Sequence, residues 1–220
     1  MILQNAISVF IDTVTSRSDA IVEGLLEHLF LSFVSIFIAI LISLPIGIYI
    51  SRKRKSAEFF IGITAVFQTI PSLALFGFLV PIFHTGATTA IIALTVYALL
   101  PIVRNTYTGI VGVDEGIIEA GKGMGMTPRQ LLFKVELPLS LSIIMAGVRT
   151  ATVLTVGVAT LATFVGAGGL GEVIYRGLSS WNNALVLAGA IPAALLALFF
   201  DFLLKLVEKA TTPKGLKINK

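Results

Sequence analysis

Apolar and polar positions alternate along this chain in long blocks rather than in the short periods of a soluble fold. Leu29–Ile50 is a run of 22 residues without a charged side chain. A helix needs about 20 such residues to cross the hydrocarbon of a bilayer. Phe59–Phe83 is a second run of 25, interrupted by Gln68 and two prolines. Ala90–Val103 is a shorter third run that extends back through Ala87. Leu139–Val165 and Ala184–Leu204 follow, carrying one charge each, Arg149 and Asp201. The pattern predicts an all-α membrane protein with five transmembrane helices, at about 29–50, 59–83, 87–103, 139–165 and 184–204. Residues 1–28 are too polar to span. Apolar positions at 2, 3, 7, 9, 10, 11 and 14 predict an amphipathic external helix lying at the interface. A polar loop, 104–138, separates the third and fourth spans, and a basic tail occupies 205–220.

Composition agrees with lipid as the solvent. The chain is 56% hydrophobic and 13% charged, with mean hydropathy +0.97, against roughly 25% charged in soluble domains. It has no cysteine, which excludes disulfides and thiolate metal sites. Its first basic residue is Arg17, so the positive n-region of a cleavable signal peptide is missing and the first span is expected to direct insertion. Segments 51–58, 104–138 and 205–220 hold 13 of the 16 lysines and arginines. The positive-inside rule then puts these three segments in the cytoplasm, the N-terminus outside and the C-terminus inside. Basic residues beside spans find their counter-charge in anionic lipid, and nucleic acid is not expected as a partner.

Polar groups inside the spans are the next candidates, because they are costly there. Counted at the helical rise, Arg149 and Asp201 fall at similar depths near the inner boundary. They either face each other at the inner rim of a pathway or reach separately to the interface. Gln68, Thr69, Pro71 and Ser72 interrupt the second span, where proline removes a backbone donor. Pathway lining and a structural kink both fit. Tyr97 is the lone aromatic candidate for a cationic solute, and core packing also explains it. Threonines 150, 152, 155, 160 and 163 supply small packing surfaces in the fourth span. GAGGLG (166–171) imitates the dinucleotide fingerprint, yet a membrane helix precedes it where that motif needs a strand. A flexible turn into a short external helix near Glu172–Leu178 is expected, with Trp181 as an interfacial anchor.

The stretch EAGKGMGMTPRQLLFKVELP (119–138) predicts two short helices around a tight turn. Asp114 can cap the first, with Glu115 in its first turn. Gly125 suits a left-handed stop. Thr127-Pro128-Arg129-Gln130 reads as a capping box with proline at the first helical position. Ile117, Ile118, Ala120, Gly121 and Met124 form an apolar, small-residue face. It fits a partner's groove or the chain's own spans. No Walker loop occurs anywhere, because GKG at 121–123 lacks the following Ser or Thr.

Glu119-Ala120-Gly121, three residues, Gly125, nine residues, and Val135-Glu136-Leu137-Pro138 resemble the EAA loop of ABC-importer permeases, with Gly121 and Val135 in place of its second alanine and its isoleucine. QTIPSLA (68–74), LLPIVRNTYTGI (99–110), IMAGVRTATV (144–153), FVGAGGLG (164–171) and TPKGL (212–216) are similar to permeases that import glycine betaine, carnitine, choline and related osmoprotectants. The resemblance implies a type I importer permease fold of the MetI-like kind. It also implies a second permease subunit, two ABC ATPase subunits and an extracellular substrate-binding protein. Glu115, Ile118, Glu119, Ala120, Gly121, Met124, Gly125, Val135, Leu137 and Pro138 would form the loop that couples the ATPase to the spans. This chain would bind no cofactor, ATP and Mg²⁺ residing on the partner ATPases.

Overall fold

A computed structural model describes residues 2–211, with side chains from Ile7 onward. TPKGL and the end of the basic tail lie outside the described residues. All regular structure among the described residues is helical. Helix α1 (Ile2–Ser16) is followed after Arg17 by α2 (Ser18–Arg52). The apolar run 29–50 lies within one longer helix, whose N-terminal break is at Arg17. The polar residues just before that run are absorbed by contacts. Glu27 accepts the backbone N–H of Gly169 at 2.7 Å, and the buried His28 Nε2 lies 3.0 Å from the Val156 carbonyl.

A short 3₁₀ turn leads into α3 (Ala57–Thr69), and α4 (Ser72–Phe83) leaves it at 98°. The second apolar run is thus bent sharply where one span was expected. Ile70 and Pro71 are extended at the corner. Among the described residues, four helices are long and apolar enough to cross a membrane, and the bent pair makes a fifth span if counted as one.

Helix α5 (Ala87–Val111) is the centre of the bundle, packed between α2 and α8 (Leu137–Ala159). Close crossing explains the small residues. A methyl group on Gly47 would meet Thr106 Cβ at 2.5 Å, and one on Gly147 would meet Asn105 Cβ at 2.5 Å. Ala39, Ala90, Ala93, Ala98 and Ala151 are fully buried on the same seams. Hydroxyls bridge α2 and α5: Ser35 to the Ile91 carbonyl, Thr95 to the Ser35 carbonyl, and Ser43 to the Leu99 carbonyl, at 3.3–3.4 Å. In lipid, where water offers no competing contact, packing of this kind holds helices together.

Between α5 and α8 lie α6 (Glu115–Gly123) and α7 (Pro128–Leu131), then a π turn at Leu132–Glu136. At the far end of α8 a 3₁₀ segment, Thr160–Val165, precedes the glycine turn and α9 (Leu170–Ser179). Helix α10 (Asn183–Thr211) packs on α8 and α9. The glycine turn is held tightly, against the flexible turn expected from its sequence. Gly168 and Gly169 have positive φ, and a methyl group on Gly168 would overlap the Glu27 carboxylate. The glycines admit α2 close to the turn; no phosphate is needed to explain them. Trp181, 93% exposed, projects beside the start of α10.

Candidate functional site

The loop at 114–138 folds as its local signals direct. Asp114 Oδ1 accepts the Ile117 N–H at 3.2 Å. Such a cap contributes about 1 kcal/mol. At the other end of α6, the N–H of Met126 reaches the Gly121 carbonyl at 3.1 Å and that of Gly125 reaches Lys122 at 2.9 Å, with Gly125 at φ +78°. This pair of bonds is a Schellman stop, which requires a left-handed residue at its turn. Thr127 and Gln130 exchange both bonds of a capping box, at 2.8 and 3.3 Å.

These caps decide which face of α6 is offered outward. Gly121 is buried, and a methyl group there would come within 2.8 Å of the Leu131 tip. The glycine that departs from the second alanine of the motif thus stands where α6 rests on α7. Ile118 is half-buried. Glu115, Ile117, Glu119, Ala120 and Met124 are exposed, Met124 at 73%. An apolar strip flanked by two carboxylates projects from the end of the bundle. Val135 and Leu137 are half-buried and Pro138 is exposed at the start of α8. Pro138 cannot donate to the carbonyl one turn back. The π turn just before it, with the Leu137 N–H on the Leu132 carbonyl, is a usual response to such a gap.

The second candidate group also comes together. Gln68, Thr69, Pro71, Ser72 and Tyr97 line one cleft of about 360 Å³, with Ile70, Leu154 and Val158. Tyr97 donates its hydroxyl to the Ile70 carbonyl, freed by the break, and Gln68 Nε2 donates to the Tyr97 carbonyl at 3.1 Å. Tyr97 therefore pins the corner from α5 and walls the cleft at once. Leu154 also borders a neighbouring cleft of about 310 Å³ with Arg149, Thr150 and Asp201. One face of α8 connects the two.

Arg149 and Asp201 are paired, Nε to Oδ1 at 2.6 Å, with Glu208 a second acceptor at 3.3 Å. Sequence reasoning missed Glu208, although it lies two helical turns from Asp201 on the same face. It also missed Leu154 and Val158, which follow Thr150 at i+4 and i+8 and so lie on one stripe of α8. Arg52, in sequence one of four consecutive basic residues, gives no local signal of its partner Glu136.

No group of three or more His, Cys, Asp or Glu residues able to hold a metal occurs among the described residues. Residues 39–213 match the model of the binding-protein-dependent transport system inner membrane component family. The chain is 48% identical over 191 residues to the carnitine transport permease OpuCB of Listeria monocytogenes, covering 87% of this chain and 88% of that one. It is 44% identical to the glycine betaine/carnitine/choline permease OpuCB of Bacillus subtilis strain 168, with the same coverage. A second Listeria monocytogenes protein, the carnitine transport permease OpuCD, is 45% identical over 204 residues, 92% of each chain. Among solved structures, a chain of the MetNI methionine ABC transporter in an inward-facing conformation matches with TM-score 0.82 at 28% identity, covering 90% of this chain and 99% of that one. With the capped loop at 114–138, the helical bundle and these likenesses together, the chain belongs to the binding-protein-dependent transport system inner membrane component family, as a multi-pass permease of MetI-like fold similar over most of its length to the osmoprotectant permeases.

Proposed function

We propose that this chain is the transmembrane subunit of an ATP-driven importer of compatible solutes, namely glycine betaine, carnitine, choline or related quaternary ammonium compounds. The supporting observation is the capped loop at 114–138, with its exposed Ile117–Met124 strip, in a chain 44–48% identical to permeases of those names. Two permeases, identical or paralogous, enclose one pathway. Two ATPase subunits carry ATP and Mg²⁺ and receive α6 in a groove on the cytoplasmic side. The N-terminus is outside, where a binding protein delivers solute to the glycine-turn end. ATP binding closes the ATPases, α6 moves with them, and the spans turn outward; hydrolysis resets the cycle.

Selectivity belongs mainly to the binding protein. Quaternary ammonium ions are held by several aromatic faces together, and the cleft at Gln68–Ser72 has only Tyr97. Its polar groups give a weakly selective passage. Arg149, Asp201 and Glu208 close the inner end of the same α8 face. Arg149→Gln and Asp201→Asn should each lower uptake, and the double variant should fall no lower than Arg149→Gln alone, because that change already removes the contact that Asp201→Asn removes, along with the one to Glu208. Additive losses in a double-mutant cycle on uptake would refute the pairing role.

The decisive experiment is reconstitution with the ATPase, the binding protein and any paralogous permease encoded beside it. Labelled glycine betaine, carnitine or choline should enter vesicles only with ATP on the ATPase side. ATP-driven uptake of methionine but none of these solutes would favour a second reading, an amino-acid importer. That reading rests on the likeness to the methionine transporter. Uptake without any ATPase subunit would reject both.

A further inference from the structure

We propose that the ion pair between Arg52 and Glu136 is the link by which motion of the 114–138 loop reaches the corner between α2 and α3. From there it passes along α3 to the cleft at Gln68–Ser72. The inference rests on the coupling reading above and assigns its path within this chain.

Glu136 is buried, its side chain 3% exposed, while Arg52 is 42% exposed. Both terminal guanidinium nitrogens meet the carboxylate, Nη1 to Oε1 at 3.0 Å and Nη2 to Oε2. A buried carboxylate is tolerated only with its counter-ion in place, so the two groups have to move as one. Glu136 is the last residue of the π turn, immediately before Leu137-Pro138. A π turn is a place where a helix readily changes direction. Its setting is therefore fixed by what Glu136 holds.

Arg52 is the last residue of α2, and the corner beyond it is braced. The Lys53 ammonium lies 5.1 Å from the Tyr49 ring, which meets Phe60 edge-on at 6.1 Å. Ile50 and Ala57 pack with Val103 of α5 beneath. A pull at Arg52 is thus delivered to α3, and α3 runs without interruption to Thr69 at the edge of the cleft. An apolar contact would hold α2 to the loop at least as well as a buried ion pair. The fork geometry adds a fixed direction.

The test measures ATP hydrolysis and solute uptake in the same vesicles with the full complex. Glu136→Gln and Arg52→Gln should each raise the ATP spent per solute about tenfold, within the range by which residues along a coupling path act. The double variant should be no worse than the poorer single one. Arg52→Lys, which keeps the charge but loses the fork, should fall between. Arg52→Gln strands a buried carboxylate, so it is the variant most prone to lose assembly. The double variant R52Q/E136Q strands none and decides in that event. An assembled double variant with a raised ratio supports the link; a wild-type ratio overturns it, as does failure to assemble. Additive single effects, or uptake and hydrolysis falling in proportion, also overturn it. If the unaltered complex takes up no osmoprotectant with ATP, the functional reading fails instead, and that control is read first.

Discussion

Gly171→Ala should leave almost no assembled transporter to assay. A methyl group at this position would overlap the Thr160 carbonyl oxygen and stand 2.6 Å from its carbon and 2.9 Å from its Cα. All three atoms are backbone, so no side chain can swing aside. Thr160 opens the 3₁₀ segment, and that segment is itself fastened: Gly86 N–H to the Val165 carbonyl at 2.6 Å, and Ala167 N–H to Ala162 at 3.1 Å. Moving α9 away instead would lift Leu170 and Val173 out of the core, where both are buried. Overpacking into a yielding core costs about 1–3 kcal/mol, and an unyielding backbone contact belongs at or beyond the top of that range. Gly166 is the control. It has φ +71° but open space around it, so Gly166→Ala incurs only backbone strain, about 1–2 kcal/mol. Size-exclusion recovery and thermal unfolding of the purified complex would compare them. Equal yields of the two variants would contradict the assigned close approach.

That glycine turn marks where sequence reasoning stopped. The pattern of apolar runs located the helices because burial in lipid requires unbroken apolar length, and length is visible in one dimension. The caps of α6 and α7 were visible for the same reason: Asp114, Gly125, Thr127 and Gln130 act on backbone atoms within a few residues. Contacts across the fold were not. Glu27 marked an end to the apolar run because a carboxylate is unwelcome in a span. Its partner is an N–H far along the chain, at Gly169, and nothing local announces it. Likewise the direction of α4, turned 98° from α3, depends on Tyr97 holding the Ile70 carbonyl. Proline announces that a helix is disturbed, but the angle belongs to the partner that takes up the freed carbonyl. Arg149 and Asp201 share a depth that the helical rise alone gives. The azimuth around each helix, which brings in Glu208, needs the packed bundle.

Gly125→Val should abolish ATP-driven uptake while the complex still assembles and hydrolyses ATP. The position combines two facts that rarely coincide. Its φ is +78°, and no atom beyond its own chain neighbours lies within 4 Å of where a Cβ would be. The substitution therefore meets no clash and leaves the bundle core untouched. It does meet the backbone: a β-branched residue in the left-handed region is an outlier, at a cost of roughly 1–2 kcal/mol. The chain can relieve that strain only by giving up the Schellman stop, the bonds from Gly125 and Met126 back to Lys122 and Gly121. Releasing it turns α6 relative to α7 and misdirects the Ile117–Met124 strip. Fixed geometry between α6 and the π turn is what the proposed coupling needs. Gly125→Asn supplies the contrast, because asparagine accepts the left-handed conformation. It should retain most uptake with the same added side-chain bulk in the same open space. Parallel assays of uptake and hydrolysis in vesicles separate the cases. Unchanged uptake in Gly125→Val would remove this turn from the coupling path. Equal loss in the valine and asparagine variants would assign the effect to side-chain size at a docking surface, with the backbone turn playing no part.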